Sequence, residues 1–77
     1  MTTTKVYPEE IQPGDTIWFE FAGDTDPIEV TATVDQVVPS HHTDRWNVFY
    51  TYTTGYRPGF STEMQMRGSE RLDVVQS

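Results

Sequence analysis

The chain has 77 residues, no cysteine and a formal net charge of −7. A chain of this length forms one domain that buries only about 60–65% of the surface its unfolded form exposes. Without cysteine, neither disulfides nor thiolate metal sites can reinforce it. Its apolar runs are far shorter than the roughly 20 residues of a membrane-spanning helix, and its first residues lack the apolar stretch of a secretory signal. We therefore expect a cytoplasmic protein with no membrane partner.

The negative charge lies in the first half of the chain. Residues 1–35 contain eight acids and one lysine, whereas residues 36–77 contain four acids and four arginines. Proteins that bind nucleic acid through its phosphates need a basic footprint, so we expect no direct nucleic-acid partner. An acidic half is typical either of a surface for a basic protein partner or of a solubilising surface.

The N-terminal region predicts a short lead-in followed by a strand. Residues 1–10 are rich in threonine and show no periodicity, so we interpret them as a flexible arm or edge segment. Pro13 and Gly14 suit the centre of a type II turn, because proline presets φ and glycine accepts a positive φ. Residues 16–22 then alternate with period two, which is typical of a strand. Its two faces carry Ile17, Phe19 and Phe21 on one side and Trp18 and Glu20 on the other.

Four more strands are predicted by the same alternation, over residues 28–38, 45–53, 60–66 and 72–75. In the first of these the apolar phase slips after Val34 to the adjacent pair Val37 and Val38. We expect a β-bulge or sharp bend near Gln36, since a bulge adds one residue to a strand and shifts its phase. Residues 68–71 resemble one tight helical turn just before the last strand. No window has the apolar spacing of a longer helix.

Five short strands with turn chemistry between them predict an all-β domain over residues 11–77, in the form of a small barrel or sandwich. The predicted elements follow one another as a turn, a strand, an acidic loop, a long bent strand, two further strands, a one-turn helix at residues 69–71 and a last strand. This order resembles the SH3-like barrels. In those barrels a single helical turn separates the fourth and fifth strands. The resemblance implies a five-stranded SH3-like barrel with one short helical turn before the last strand.

The chain also resembles, more loosely, small uncharacterised proteins encoded by phages of actinobacteria. That resemblance rests on Ile11, Pro13, Gly14 and Asp15 and on the aromatic-rich middle of the chain, and it implies a location in the host cytoplasm. SH3-like barrels bind proline-rich peptides, methylated lysine, nucleic acid or other proteins, and some are purely structural. The early strand lacks the run of aromatics and acids of the peptide-binding members. The single lysine departs from the basic RNA-binding members. Fold alone therefore does not decide function.

Aromatic residues supply the candidate interaction site. The ten aromatic side chains exceed what so small a core can hide. Alternation places Trp18 and Phe49 on outward faces, and Tyr56 falls in a loop. Large exposed aromatics are typical of interfaces, although the arm at residues 6–8 could cover Trp18 instead. We expect a non-catalytic protein-interaction module whose partner-binding residues are Trp18, Glu20, Glu29, Asp35, Phe49 and Tyr56.

Three alternatives stay open at this stage. The eight acids of residues 1–35 are compatible with an acidic DNA mimic that inhibits a nucleic-acid-binding protein, provided that the carboxylates form rows with the spacing of phosphates. Stacking of single-stranded nucleic acid on Trp46, Tyr50 and Tyr52 is opposed by the charge. Unpaired edge strands and surplus aromatics also favour a homodimer.

Residues that could carry catalysis or bind a metal form no recognisable motif. Residues 41–44, His-His-Thr-Asp, contain metal-ligand types, but adjacent histidines in an extended chain point to opposite sides. Asp24 and Asp26 lack the glycine and terminal glutamate of a calcium loop. Neither histidine lies in a motif with a serine, and the chain has no cysteine nucleophile. We expect no enzyme activity, no metal and no cofactor.

Overall fold

The computed structural model describes residues 2–41 and 44–76. These residues form an all-β structure with six strands and, after the first of them, a short 3-10 helix at Pro8–Glu10. The strands are β1 (Thr2–Val6), β2 (Thr16–Phe21), β3 (Ile28–Pro39), β4 (Arg45–Thr54), β5 (Ser61–Arg67) and β6 (Leu72–Gln76). The predicted all-β class is confirmed, and each of the five predicted strands is present with its ends displaced by one residue at most.

The strands form one open antiparallel sheet in the order β1-β6-β2-β3-β4-β5. The prediction of a closed barrel is therefore wrong, because β1 and β5 lie at opposite edges. Side-chain alternation reports which residues share a face of a strand. It carries no information on whether the first and last strands meet, since that pairing depends on contacts far apart in sequence.

The predicted count of five strands is also wrong, and the additional strand lies in the first ten residues. Thr4 of β1 pairs with Val74 of β6, and Val6 pairs with Leu72. Only Val6 of this strand packs against the core. β1 is thus a polar edge strand held largely by backbone pairing, which explains why its sequence shows no alternation of apolar residues.

The turn before β2 forms as predicted from Pro13 and Gly14. The Asp15 amide donates to the Gln12 carbonyl at 3.1 Å, and Gly14 has a φ of 94°, a value that suits glycine at the third position of a type II turn. Gly14 N also donates to the Val34 carbonyl at 2.8 Å, and Val34 N donates to the Asp15 carbonyl at 2.8 Å. These bonds fasten the turn to the middle of β3.

An irregularity interrupts β3 next to the predicted position. Val34 pairs with Tyr50, but the next pair along β4 joins Gln36 to Phe49, so Asp35 is the extra residue of a bulge. The slip in apolar phase between Val34 and Val37 therefore has the cause that the sequence indicated. The bulge leaves the Asp35 side chain exposed beside β4.

The connection between β5 and β6 is a hydrogen-bonded turn, and the predicted one-turn helix at residues 68–71 is absent from it. The Glu70 amide donates to the Arg67 carbonyl at 3.0 Å, and the Arg67 amide donates to Glu70 Oε1 at 2.8 Å. Gly68 N donates to the Asp44 carbonyl at 3.0 Å. The glutamate side chain closes the turn by accepting from the Arg67 amide, and the chain passes from this turn into β6 without a helical segment.

One face of the sheet, the inner face, carries the core. Its buried residues come from every strand except β1, with Ile11 from the segment before β2. They are Ile11, Ile17, Val30, Ala32, Val34, Val48, Tyr50, Tyr52, Met66 and Val74. The opposite face, the outer face, carries the alternate residues of the same strands, including Trp18, Thr31, Thr33, Phe49 and Thr51. Among the described residues, no helix is long and apolar enough to cross a membrane.

Candidate functional site

Threonine side chains on the outer face are linked by hydrogen bonds across β3 and β4. Thr31 Oγ1 bonds to Thr53 Oγ1 at 2.9 Å and also to Thr54 Oγ1. Thr53 Oγ1 donates to the Thr31 carbonyl at 3.0 Å. Cross-strand hydroxyl pairs of this kind stabilise a sheet surface without any apolar cover. This face therefore differs from the inner face in having hydroxyl groups where the inner face has aliphatic and aromatic side chains.

Trp18 and Phe49 both lie on the outer face, and both are half-buried rather than exposed. Trp18 is flanked across the sheet by Thr31 on one side and Asp73 on the other. Asp73 forms an ion pair with Lys5 of β1 at 3.3 Å. The indole thus lies beside a charged pair at the β1 side of the sheet.

The N-terminal segment does not cover the outer face. β1 continues the sheet beside β6, Val6 packs against the inner-face core, and Pro8 is buried. The sequence left two interpretations of Trp18, an interface residue or a residue beneath the arm at residues 6–8. In the structure, that arm joins the edge of the sheet instead of crossing the face that carries the indole.

A cleft of about 320 Å³ lies on the outer face around Phe49. It is lined by Asp35, Phe49, Ser61, Thr62 and Glu63. Phe49 and Glu63 are directly paired across β4 and β5, and the bulge of β3 brings Asp35 to the other side of β4. The result is a half-buried phenyl ring with an exposed carboxylate on each side. Of the predicted site residues, the structure brings Asp35 and Phe49 together here.

A chain of hydroxyl groups holds one of these carboxylates in place. Thr51 Oγ1 donates to Asp35 Oδ2 at 2.7 Å, and Thr51 Oγ1 lies 2.7 Å from Ser61 Oγ. A threonine hydroxyl has a single proton, and that proton is used on Asp35, so Ser61 is the donor to Thr51. The chain Ser61→Thr51→Asp35 fixes the carboxylate and leaves Asp35 Oδ1 outside this chain of bonds.

Glu20 and Glu29 form a second acidic position on the outer face. They are directly paired across β2 and β3, and both side chains are exposed. Like charges opposite each other in an antiparallel pair repel and destabilise the sheet. Five residues of β3 lie between Glu29 and Asp35, which places the two about 20 Å apart along an extended strand. This pair is therefore a neighbour of the cleft and not part of it.

Tyr56 belongs to the other side of the sheet. Its ring contacts Phe21 at 5.3 Å and Tyr52 at 5.4 Å between centroids, and both of those rings lie on the inner face. Phe60 stacks on Tyr52 at 6.2 Å, and the Arg57 guanidinium lies over the Tyr56 and Phe60 rings at 5.4 and 5.6 Å. The six predicted site residues are thus divided between Trp18, the Glu20–Glu29 pair, the cleft and this aromatic end of the inner face.

Sequence reasoning missed Glu63, which completes the cleft. The alternation of residues 60–66 puts Glu63 and Met64 on opposite faces of the strand, so the pattern placed Glu63 on the outward face. The pattern did not indicate which residue of the neighbouring strand lies beside Glu63. A prediction of the β4–β5 hairpin register would have set Glu63 opposite Phe49, because the two strands are adjacent in sequence and joined by a short loop.

Within the described part of the chain, no group of three or more histidines and acids could hold a metal ion. Of the histidine-containing segment at residues 41–44, His42 and Thr43 lie outside the described residues. On the inner face, burial raises the pKa of the Tyr50 hydroxyl well above its ordinary value, and the hydrogen bond and charge interaction with Tyr52 raise it further. Tyr50 therefore stays protonated at neutral pH and acts as a core residue.

Comparison of the chain with protein-family models, with curated proteins and with solved structures finds no match.

Proposed function

We propose that this chain is a non-catalytic protein-interaction module that binds a basic segment of another protein at the outer-face cleft. The observation that carries the proposal is the half-buried ring of Phe49 between the exposed carboxylates of Asp35 and Glu63. A lysine or arginine side chain fits this combination. Its aliphatic stem packs on the phenyl ring, and its charged head lies between the two carboxylates. The resemblance to phage-encoded proteins makes a host or phage protein the expected partner class.

The overall charge supports a basic partner over a second copy of the chain. At a net charge of −7, two copies repel at long range, whereas a basic segment is attracted and its association is accelerated. The expectation of a homodimer made from the sequence is for this reason the weaker of the two partner hypotheses.

The positions of the other acids support local binding over imitation of DNA. Glu9 and Glu10 lie in the 3-10 helix before β2, whereas Asp24 and Asp26 lie in the turn after β2, at the opposite end of that strand. Mimicry of a duplex needs carboxylates in rows spaced like phosphates. The burial of two tyrosines weakens the stacking alternative: Tyr50 and Tyr52 are only 5% and 7% exposed, so that of its three rings only the half-buried Trp46 is accessible.

The proposal is tested with a short, fluorescein-labelled peptide that has lysine at every second position and valine between the lysines. We expect the peptide to bind the wild-type chain and the double variant Asp35→Asn/Glu63→Gln to bind at least about tenfold more weakly, a change of about 1.4 kcal/mol. The amide of Asp35→Asn keeps an acceptor for Thr51, so the sheet surface is retained. Fluorescence anisotropy gives the affinity, and circular dichroism checks the fold.

A matched charge control comes from the turn after β2. The double variant Asp24→Asn/Asp26→Asn removes the same two charges from exposed positions outside the cleft. We expect it to keep the wild-type affinity within about twofold, because charges farther apart than a Debye length of about 10 Å are largely screened. Equal weakening by the two double variants would show that binding follows net charge, and the cleft would then have no special role.

A further inference from the structure

The cleft alone is too small to account for useful affinity. An exposed ion pair or an exposed cation–π contact strengthens binding by about fivefold at most. One lysine beside Phe49 and two carboxylates therefore gains roughly a hundredfold in affinity at most, less than the roughly thousandfold that a dissociation constant of 1 mM represents relative to 1 M. A partner that binds here needs further contacts next to the cleft.

The edge of the sheet can provide these further contacts. β5 supplies Ser61, Thr62 and Glu63 to the cleft and is also the last strand of the sheet. An edge strand presents a row of backbone donors and acceptors to an extended segment, and strand addition at such an edge is a common mode of peptide recognition. The cleft and the edge therefore form one continuous surface.

The hairpin between β4 and β5 determines which residues face the open edge. Tyr52 N donates to the Phe60 carbonyl at 2.9 Å, and Gly59 N donates to the Tyr52 carbonyl at 2.7 Å. Alternation from these bonds directs the backbone groups of Thr62 and Met64 toward β4. The backbone groups of Ser61, Glu63 and Gln65 consequently point to the open edge, and their side chains lie on the outer face with Phe49.

The far end of this edge is already occupied. Arg67 N donates to Glu70 Oε1, and the Arg67 carbonyl accepts from Glu70 N. Pairing at the edge is thereby confined to residues 61–65, the part of β5 that borders the cleft. A glutamate that closes the edge beyond this point limits indiscriminate strand addition, as proteins commonly do at exposed edges.

We propose that the partner of the outer-face cleft is an extended segment of alternating basic and apolar residues, which adds to β5 as an antiparallel seventh strand. This inference rests on the proposed function. The antiparallel orientation matches every pairing in the sheet. A basic residue opposite Glu63 exchanges backbone hydrogen bonds with it and has its side chain on the outer face, beside the carboxylate and directed toward Phe49. The intervening apolar residues lie on the inner face beside Met64, which packs against the core.

Methylation of single peptide nitrogens tests this geometry. In one version of the lysine–valine peptide the lysine nitrogens are methylated, and in the other the valine nitrogens are methylated. Antiparallel addition directs the lysine N–H groups to β5 and the valine N–H groups to solvent. We expect methylation of the lysines to weaken binding by at least about tenfold, because each lost backbone hydrogen bond costs roughly fivefold in affinity. Methylation of the valines should change binding by less than about threefold.

A variant of the protein tests the same edge from the other side. Gln65→Pro removes a donor that faces the open edge and not the β4 ladder, a position at which an edge strand accepts proline. We expect Gln65→Pro to retain the fold by circular dichroism and to weaken peptide binding by at least about fivefold. Gln65→Thr keeps the backbone donor and serves as the matched control with near wild-type binding. The third readout is that Glu63→Gln weakens binding more than Asp35→Asn, because Glu63 lies on the strand next to the peptide.

The outcomes separate this inference from the proposed function. If the two methylated peptides bind equally well while Asp35→Asn/Glu63→Gln still abolishes binding, the cleft binds basic side chains and strand addition is wrong. If methylation of the lysines abolishes binding and the carboxylate variants do not matter, the edge pairs with peptides and the proposed function is wrong. Sedimentation of the unliganded protein as a dimer that the peptide does not dissociate would show that a second copy occupies the edge, and would overturn the inference.

Discussion

The two faces of the sheet use aromatic side chains in different ways. On the inner face, Tyr52 contacts the rings of Phe19, Tyr50, Tyr56 and Phe60, so the aromatics form a connected core. On the outer face, Phe49 stands among hydroxyl groups and carboxylates. Aromatic rings that contact one another report packing, whereas a ring that is surrounded by polar groups is the better candidate for a partner.

This comparison is tested most strongly by removing one ring from each face. We expect Tyr52→Ala to lower the free energy of unfolding by about 3–5 kcal/mol, because it leaves a cavity among four contacting rings. Phe49→Ala, at a half-buried position, costs about 1–1.5 kcal/mol, roughly half the value for full burial. Urea unfolding measures both. Tyr52→Leu and Phe49→Leu give the same order at lower cost if Tyr52→Ala does not fold, and equal losses at the two positions would contradict the distinction.

The loop that holds the aromatic end of the inner face offers a second test. Gly55 has a φ of 87°, and a Cβ at this position would lie 2.0 Å from the Glu29 carbonyl oxygen. Gly59 has a similar φ of 88° with nothing within 4 Å of such a Cβ. We expect Gly55→Ala to cost about 2–4 kcal/mol and Gly59→Ala about 1–2 kcal/mol, since only the first adds a collision to the backbone strain. Thermal unfolding of the two variants gives the difference. Equal costs would show that the loop moves to relieve the collision with the Glu29 carbonyl at no cost in free energy.

Alkaline pH should lower the free energy of unfolding through Tyr50 on the inner face. The pKa of Tyr50 is raised in the folded chain, mainly by burial, so above about pH 10 the unfolded chain loses a proton that the folded chain keeps. The free energy of unfolding is therefore unaffected by this group below about pH 10. Above that pH it decreases, with a slope of up to about 1.4 kcal/mol per pH unit. Urea unfolding across this range should show the decrease. Tyr50→Phe should flatten it, whereas Tyr7→Phe, at a position 40% exposed, should not; a slope unchanged in Tyr50→Phe would assign it to another group.

The smallest effect is expected on the outer face, at the paired carboxylates of Glu20 and Glu29. Glu29→Gln removes a like-charge pair across β2 and β3 and should stabilise the chain by about 0.2–1 kcal/mol at low salt. The gain should shrink as salt screens the repulsion. Asp24→Asn, in the turn after β2, is the control for loss of one charge. Destabilisation by Glu29→Gln would mean that the two carboxylates are held by interactions other than their mutual repulsion.

The sequence by itself determined the local features of this protein. Alternation placed the five strands, put Tyr50 and Tyr52 on one face and Trp18 and Phe49 on the other, and located the bulge near Gln36. These features depend on residues close together in the chain, because the period of two is a property of each strand.

Only the tertiary structure decided how the strands meet. It made the sheet open, added β1 beside β6, converted the turn at residues 68–71 into one closed by Glu70, and set Asp35 and Glu63 on either side of Phe49. It also placed Tyr56 on the inner face, away from the other predicted partner-binding residues. The open sheet and the β1–β6 pairing depend on register and pairing between segments far apart in sequence, which the free energy of the whole fold selects. The Glu70 turn and the contact of Tyr56 with Tyr52 are local, but they depend on side-chain placement that the alternation of apolar residues does not encode.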